Sequence, residues 1–126
     1  MPGYQYSRDD QIRALELIDS VLVQVGHAMD IDRNDFALIR SAIVAEGQGR
    51  LHDLSSLAEA VGMPRTTVLN RVNVLVARGL LMEVRRGRRC LILGTEDTVE
   101  LLRPILEKMI DRTLDYALGI GAPSER

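Results

Sequence analysis

Asp53–Gly94 reads DLSSLAEAVGMPRTTVLNRVNVLVARGLLMEVRRGRRCLILG. Leu54, Leu57, Ala58 and Val61 recur at helical spacing behind Asp53, a side chain that accepts from the free N–H groups of a first turn. Gly62 follows where a tight turn needs positive φ, and Pro64 suits the start of a second helix, where its missing N–H costs nothing. That helix runs from Pro64 or Arg65 to about Arg78, with Val68, Val72 and Leu75 as its inward stripe, and Gly79 stops it. Leu80–Val84 and Cys90–Leu93 read as two short strands, joined by a turn over Arg85–Arg89 in which Gly87 permits the reversal. A capped helix, a glycine turn, a second helix and an arginine-tipped hairpin form the layout of a helix-turn-helix with a wing, which puts one helix into a DNA groove.

The second helix has an unusual outer face. With Val68 at the centre of the buried side, Thr66, Asn70, Asn73 and Ala77 lie opposite, flanked by Thr67 and Val74. A face evolved only for water carries Glu and Lys. Asn instead pairs bidentately with adenine, Thr bonds a base edge or touches a thymine methyl, and Ala allows close approach. Arg65 in the first turn and Arg71 at the side can reach phosphates or a guanine, and the helix N-terminus favours a phosphate. In the hairpin Arg85, Arg86, Arg88 and Arg89 straddle Gly87, placed to enter a minor groove or clamp its phosphates. A tip kept charged only to prevent edge pairing is the plainer alternative.

Charge is distributed accordingly. Residues 62–94 hold seven arginines against one acid, Glu83, a local charge of +6 in a chain of net −2, so the remainder carries −8. A phosphate-binding face on an acidic body has this asymmetry. The 46% apolar content excludes disorder, and 3% aromatics means an aliphatic core, which 126 residues suffice to bury as one domain. No apolar run has the length of a membrane span and the polar start is no signal peptide, so no membrane partner and a cytoplasmic location are expected. One cysteine, Cys90, allows no internal disulfide. It is expected to be a small buried hydrophobe, with redox sensing by an arginine-stabilised thiolate as the alternative. His27 and His52 lack metal-type spacing, and His52 is expected to bond locally near the Asp53 cap. No phosphate loop, paired-carboxylate site or Ser/His/Asp set occurs, so neither an enzyme, a cofactor nor a metal site is expected.

Around this segment the pattern is helical. Residues 1–8 read as a loose arm. A helix from Asp9 or Asp10 to about Ala28 carries apolar residues over a sector of roughly 160°, wider than one neighbour requires. A second covers about Asp35–Glu46, with Phe36, Ile39, Ala42 and Ile43 inward, ended by the GQGR segment. Leu51 and His52 suggest a very short strand. After the Gly94-Thr95 cap a last helix carries Leu101, Leu102, Ile105, Leu106, Met109, Ile110, Leu114 and Ala117, with Pro104 either kinking it or starting a separate helix. The tail GIGAPSER reads as frayed. The fold class is therefore mainly α with a small β-hairpin: one winged-helix domain over 1–126, with a reading lobe at about 35–94 and flanking helices at about 9–28 and 96–118.

The run LSSLAEAVGMPRTTVLNRVNVLVARGLL closely resembles the helix-turn-helix of MarR-type winged-helix transcriptional regulators. Leu57-Ala58 to Val61-Gly62, the start Arg65-Thr66-Thr67-Val68 and the exit Arg78-Gly79-Leu80 carry the match, and the order of flanking elements agrees. The resemblance implies a homodimer built by interlocked N- and C-terminal helices, acting on double-stranded DNA at a near-palindromic operator, usually as a repressor. It also implies, for many members, release by a small aromatic ligand bound between the dimer helices and the reading domain. By position, Arg65, Thr66, Thr67, Leu69 and Asn70 fall where the family's reading helix meets the groove, and Arg86 and Arg88 nearest the wing tip. Three features depart from the family pattern. The wing is shorter, it lacks the usual Asp-x-Arg motif, and Leu69 and Arg71 exchange polarity relative to the frequent polar-then-aliphatic order. IclR-type reading domains, which have short wings, stand as an alternative. So does a winged-helix protein–protein interaction module without DNA binding, its basic wing set against an acidic partner.

Overall fold

A computed structural model describes residues 6–118, with side chains described through Tyr116. The tail at 119–126, most of the N-terminal arm and the Ala117 side chain lie outside the described residues. The element order is α1 (Arg8–Met29), α2 (Arg33–Gln48), α3 (Leu54–Val61), α4 (Arg65–Ala77), β1 (Leu81–Arg86), β2 (Arg89–Gly94) and α5 (Glu96–Leu118).

Helix boundaries follow side-chain caps. Ser7 Oγ accepts from the Asp10 amide at 3.1 Å while the Ser7 amide donates to Asp10 Oδ2 at 2.9 Å. This reciprocal box starts α1 earlier than the acids alone suggested and shortens the expected arm. The α1 helix ends on Asp30, in the left-handed region at φ 52°, a conformation Asp tolerates better than most residues. Asp32 caps α2 through the Asp35 amide at 2.8 Å. Asp53 and Ser56 form a second reciprocal box at the start of α3. Gly62, at φ 70°, turns the chain into α4.

The buried cluster draws on all five helices and both strands. Val25, Leu38, Ile39, Leu57, Val68, Leu75 and Leu81 are its most enclosed side chains, with Phe36 as its one aromatic. The α4 stripe is Val68, Val72 and Leu75, as the periodicity requires. On α2, Ile43 is only partly buried, and Leu38 and Asp35 join the interior instead.

Strands β1 and β2 pair antiparallel from Leu81↔Gly94 to Arg86↔Arg89, leaving Gly87 and Arg88 as the turn. Gly87 has φ 63° and is the first central residue, as a two-residue type II′ hairpin demands. The strands thus run further into the arginine stretch than expected: Arg85, Arg86 and Arg89 sit on strands, not in the turn. His52 adds a one-residue bridge to Ile92, whose amide donates to the His52 carbonyl at 2.8 Å. Gly94 closes tightly on α2. A Cβ there would lie 2.7 Å from Ile43 Cγ1, and the Gly94 amide donates to Glu46 Oε2 at 3.1 Å.

Pro104 neither starts a separate helix nor ends one, since α5 continues through it. Glu100 and Pro104 are both exposed, so the carbonyl that loses its helical donor lies on the solvent side. The start of α5 is stitched to the chain that leaves α4. Thr95 Oγ1 donates to the Gly79 carbonyl at 2.7 Å, and the fully buried Thr98 Oγ1 donates to the Leu80 carbonyl at 2.7 Å.

Thr98→Val keeps the shape and removes that buried donor. It is expected to lower stability by about 1–3 kcal/mol, read as a drop in urea midpoint at fixed protein concentration with an unchanged m-value. Thr98→Ser is expected to restore most of the loss. An unchanged midpoint in the valine variant would contradict the stitching.

Candidate nucleic-acid interface

Burial of Val68, Val72 and Leu75 fixes which side of α4 faces out. Thr66, Thr67, Asn70, Asn73, Val74 and Ala77 are all exposed, and so is Leu69. The two asparagines therefore stand on the open side of the helix. No acid occurs anywhere on α4.

Two arginines associated with α4 point elsewhere. Arg71 was expected to reach phosphates or a guanine. Instead its Nε donates to Asp35 Oδ1 at 2.8 Å and its Nη2 to Asp35 Oδ2 at 2.5 Å. Asp35 is 2% exposed and Arg71 40%, so a buried carboxylate on α2 draws in a half-solvated guanidinium. That bond, and then the Asp35 charge, raise the Arg71 pKa above its ordinary value. Arg78, just beyond α4, donates to the carbonyls of Asp30 at 2.9 Å and Met29 at 2.5 Å. Neither role was read from the sequence. The signal for the first was Asp35 itself: an acid in helical register with the apolar Ile39 and Ala42 faces the interior and needs a cation.

The arginines that remain converge on one end of the reading segment. Arg65 Nε donates to Ser55 Oγ at 3.0 Å, and Arg89 reaches Asp53 Oδ2 at 3.3 Å. The N-terminal end of α3 thus receives both the start of α4 and the tip of the wing, which brings the two side by side. The Ser56 amide, foremost, holds the Asp53 carboxyl below the usual carboxylate range, and Arg89 adds to this. The side chains of Arg85, Arg86 and Arg88 are exposed and make no hydrogen bond or ion pair among the described residues. Arg86 lies directly opposite Arg89, a like-charge pair that costs stability unless an anion meets it.

The remaining polar groups have local partners. His52 Nδ1 lies 2.9 Å from Ser56 Oγ, beside the Asp53 cap. The half-buried Cys90 thiol donates to Glu83 Oε2 at 2.9 Å across the hairpin, and that bond, with burial, pushes its pKa up. Arg85 pulls the other way but is outweighed. This opposes the thiolate that redox sensing would need. Among the described residues no three His, Cys, Asp or Glu side chains group as metal ligands. No helix among them is long and apolar enough to cross a membrane.

Residues 42–85, from mid-α2 into β1, match the IclR helix-turn-helix domain. No curated protein matches the sequence. Several solved structures share the fold. MepR, a transcription regulator of the Staphylococcus aureus multidrug efflux pump MepA, superimposes with TM-score 0.67 at 16% identity, over 97% of this chain and 88% of that one. A MepR mutant bound to oligodeoxyribonucleotide gives the same score and identity over 96% and 88%. A MarR family protein from Bacillus stearothermophilus gives 0.64 at 16% identity, over 91% and 78%. The PcaV transcriptional regulator from Streptomyces coelicolor, in complex with its natural ligand, gives 0.52 at 26% identity, over 99% and 89%. The chain thus shares the winged helix-turn-helix fold of these structures, and its residues 42–85 are similar to the IclR helix-turn-helix domain.

Because Glu83 holds the Cys90 proton, alkylation of Cys90 is expected to lag a free thiol near pH 8, and to catch up only as pH climbs past the usual thiol range. Glu83→Gln is expected to speed it at pH 8. Equal rates for the two proteins would remove the carboxylate's role.

Proposed function

We propose that this chain is a sequence-specific regulator of transcription that binds double-stranded DNA, with α4 in the major groove and the wing on flanking phosphates. The observation that carries this reading is the outer face of α4. It presents Thr66, Thr67, Asn70 and Asn73 to solvent without a single acid, next to a hairpin whose Arg85, Arg86 and Arg88 side chains have no partner among the described residues. Base-edge donors and acceptors on a helix, with point charges to one side, match the division between reading and gripping in protein–DNA contacts. Arg65 and Arg89 belong to the grip, since each keeps donors beyond the one used on α3. A MepR mutant of the same fold was solved bound to oligodeoxyribonucleotide, which supports DNA as the partner class.

The functional unit in this reading is a homodimer. On α1, Ile12, Leu15 and Ile18 are exposed, with Leu15 at 62%, and on α5 so are Ile110 and Leu114, with Leu114 at 52%. The chain's own core buries Val21, Val25 and Met29 of α1 and partly covers Leu22, leaving much of the wide α1 face open. A second copy would bury the rest, and a two-fold dimer meets a near-palindromic operator with one reading helix per half-site. Such a clamp blocks other occupants of the duplex, the simplest action of a repressor.

A cavity of about 330 Å³ lies between α1, α2 and α5, lined by Ile18, Val21, Leu22, Phe36, Ile43, Leu102, Leu106 and Met109, with Arg40 among its walls. An apolar space beside a cation suits a small aromatic acid, and PcaV was solved with a natural ligand. Ligand binding there would act on DNA through α1, whose last carbonyls hold Arg78.

A gel shift on pooled genomic fragments at two salt concentrations tests the main reading. Specific retention at physiological salt is expected. Absence of retention even at low salt would favour a protein-binding module. On a retained fragment, Asn70→Ala is expected to cost about 1–3 kcal/mol and alter sequence preference, whereas Arg88→Ala weakens all DNA alike and lowers the salt slope by about one. An Arg88→Ala protein with unchanged affinity and slope would contradict the wing's role.

A further inference from the structure

The outer face of α4 lacks the group that most often reads guanine. Arginine pairs bidentately with guanine O6 and N7, yet Arg71 is forked onto Asp35 and Arg78 is bonded to the carbonyls of Met29 and Asp30. Arg65 is tethered by its Nε to Ser55 at the helix start, aside from the centre of the face. Asn70, Asn73, Thr66, Thr67 and Leu69 remain to meet base edges.

Leu69 has no evident place on such a face. It lies outside the stripe of Val68, Val72 and Leu75, is 38% exposed, and falls one turn from both Thr66 and Asn73. A branched aliphatic side chain gains nothing from water. In a major groove the one apolar group offered by a base pair is the C5 methyl of thymine, and the adenine opposite offers N6 and N7 to an asparagine. The same pair thus satisfies both Leu69 and an asparagine beside it.

We infer that Leu69 is a specificity-determining residue that packs on a thymine methyl, and that the half-site beneath α4 is built of A·T pairs read jointly by Leu69, Asn70 and Asn73. This rests on the DNA-reading role proposed above and names the sequence class which that role selects. The wing adds phosphate affinity without altering this preference.

Selection of the full-length protein on random duplexes at physiological salt, followed by single thymine-to-deoxyuridine replacement in the selected site, tests it. Deoxyuridine removes only the C5 methyl. The expected result is an A·T-rich core under each reading helix, with one replacement weakening the wild type about fourfold, the value of one buried methyl. Leu69→Ala should bind the thymine and deoxyuridine duplexes alike, and Leu69→Met should keep the discrimination. Leu69 lies outside the buried stripe, so both variants should fold, with Leu69→Met melting as the wild type does and Leu69→Ala only slightly lower. A selected core of G·C pairs, or no replacement whose effect Leu69→Ala erases, would overturn the inference while leaving DNA reading intact. Enrichment of no sequence, with retention lost at physiological salt, would overturn both.

Discussion

The paired contact between Arg71 and Asp35 narrows the orientation of α4 that its buried stripe of Val68, Val72 and Leu75 sets. A hydrophobic stripe of three residues tolerates some rotation of a helix about its axis. A buried carboxylate does not, because it must be met by a cation in one geometry. Asp35 sits in the interior beside its own helix cap, and the Arg71 fork reaches it only when α4 is turned so that Asn70 and Asn73 look away from the core. Since Arg71 is itself partly in water, the pair contributes orientation more than net stability. Its second effect is subtractive: it withdraws a guanidinium from the surface that meets the partner.

The ends of the reading segment are tied to the two helices with uncovered apolar faces. Arg78 holds the last carbonyls of α1, and Thr95 and Thr98 hold the carbonyls of Gly79 and Leu80 for α5. In the proposed reading, a change in how α1 and α5 pack, from a second copy or an occupant of the cavity between them, would reach the exit of α4 and the root of the wing through these bonds.

Most of the fold was legible because it rests on local chemistry. Asp53, Gly62, Pro64 and Gly79 each demand a conformation from their neighbours alone, and α3 and α4 fall where those residues put them. The outward set of α4 followed from periodicity for the same reason. What was not legible depends on partners distant in sequence. The fates of Arg71 and Arg78 are decided by Asp35 and by the end of α1, and a positive count over 62–94 cannot tell a groove-facing arginine from one turned inward. The hairpin turn was misjudged because five consecutive polar or glycine residues read as a loop, while strand pairing overrides that composition until Gly87. The Ser7 box is not fixed by Asp9 and Asp10, since acids suit the first turn of a helix that starts at any of several neighbouring residues.

The central claim is that the outward side of α4 and the wing form one surface for DNA. An NMR titration of the isotope-labelled protein with a duplex it retains tests this most directly. The account predicts that the largest shifts fall on Thr66, Leu69, the side-chain amides of Asn70 and Asn73, and Arg85–Arg89. Shifts concentrated on the exposed faces of α1 and α5, with the Asn70 and Asn73 amides unmoved at saturation, would contradict it.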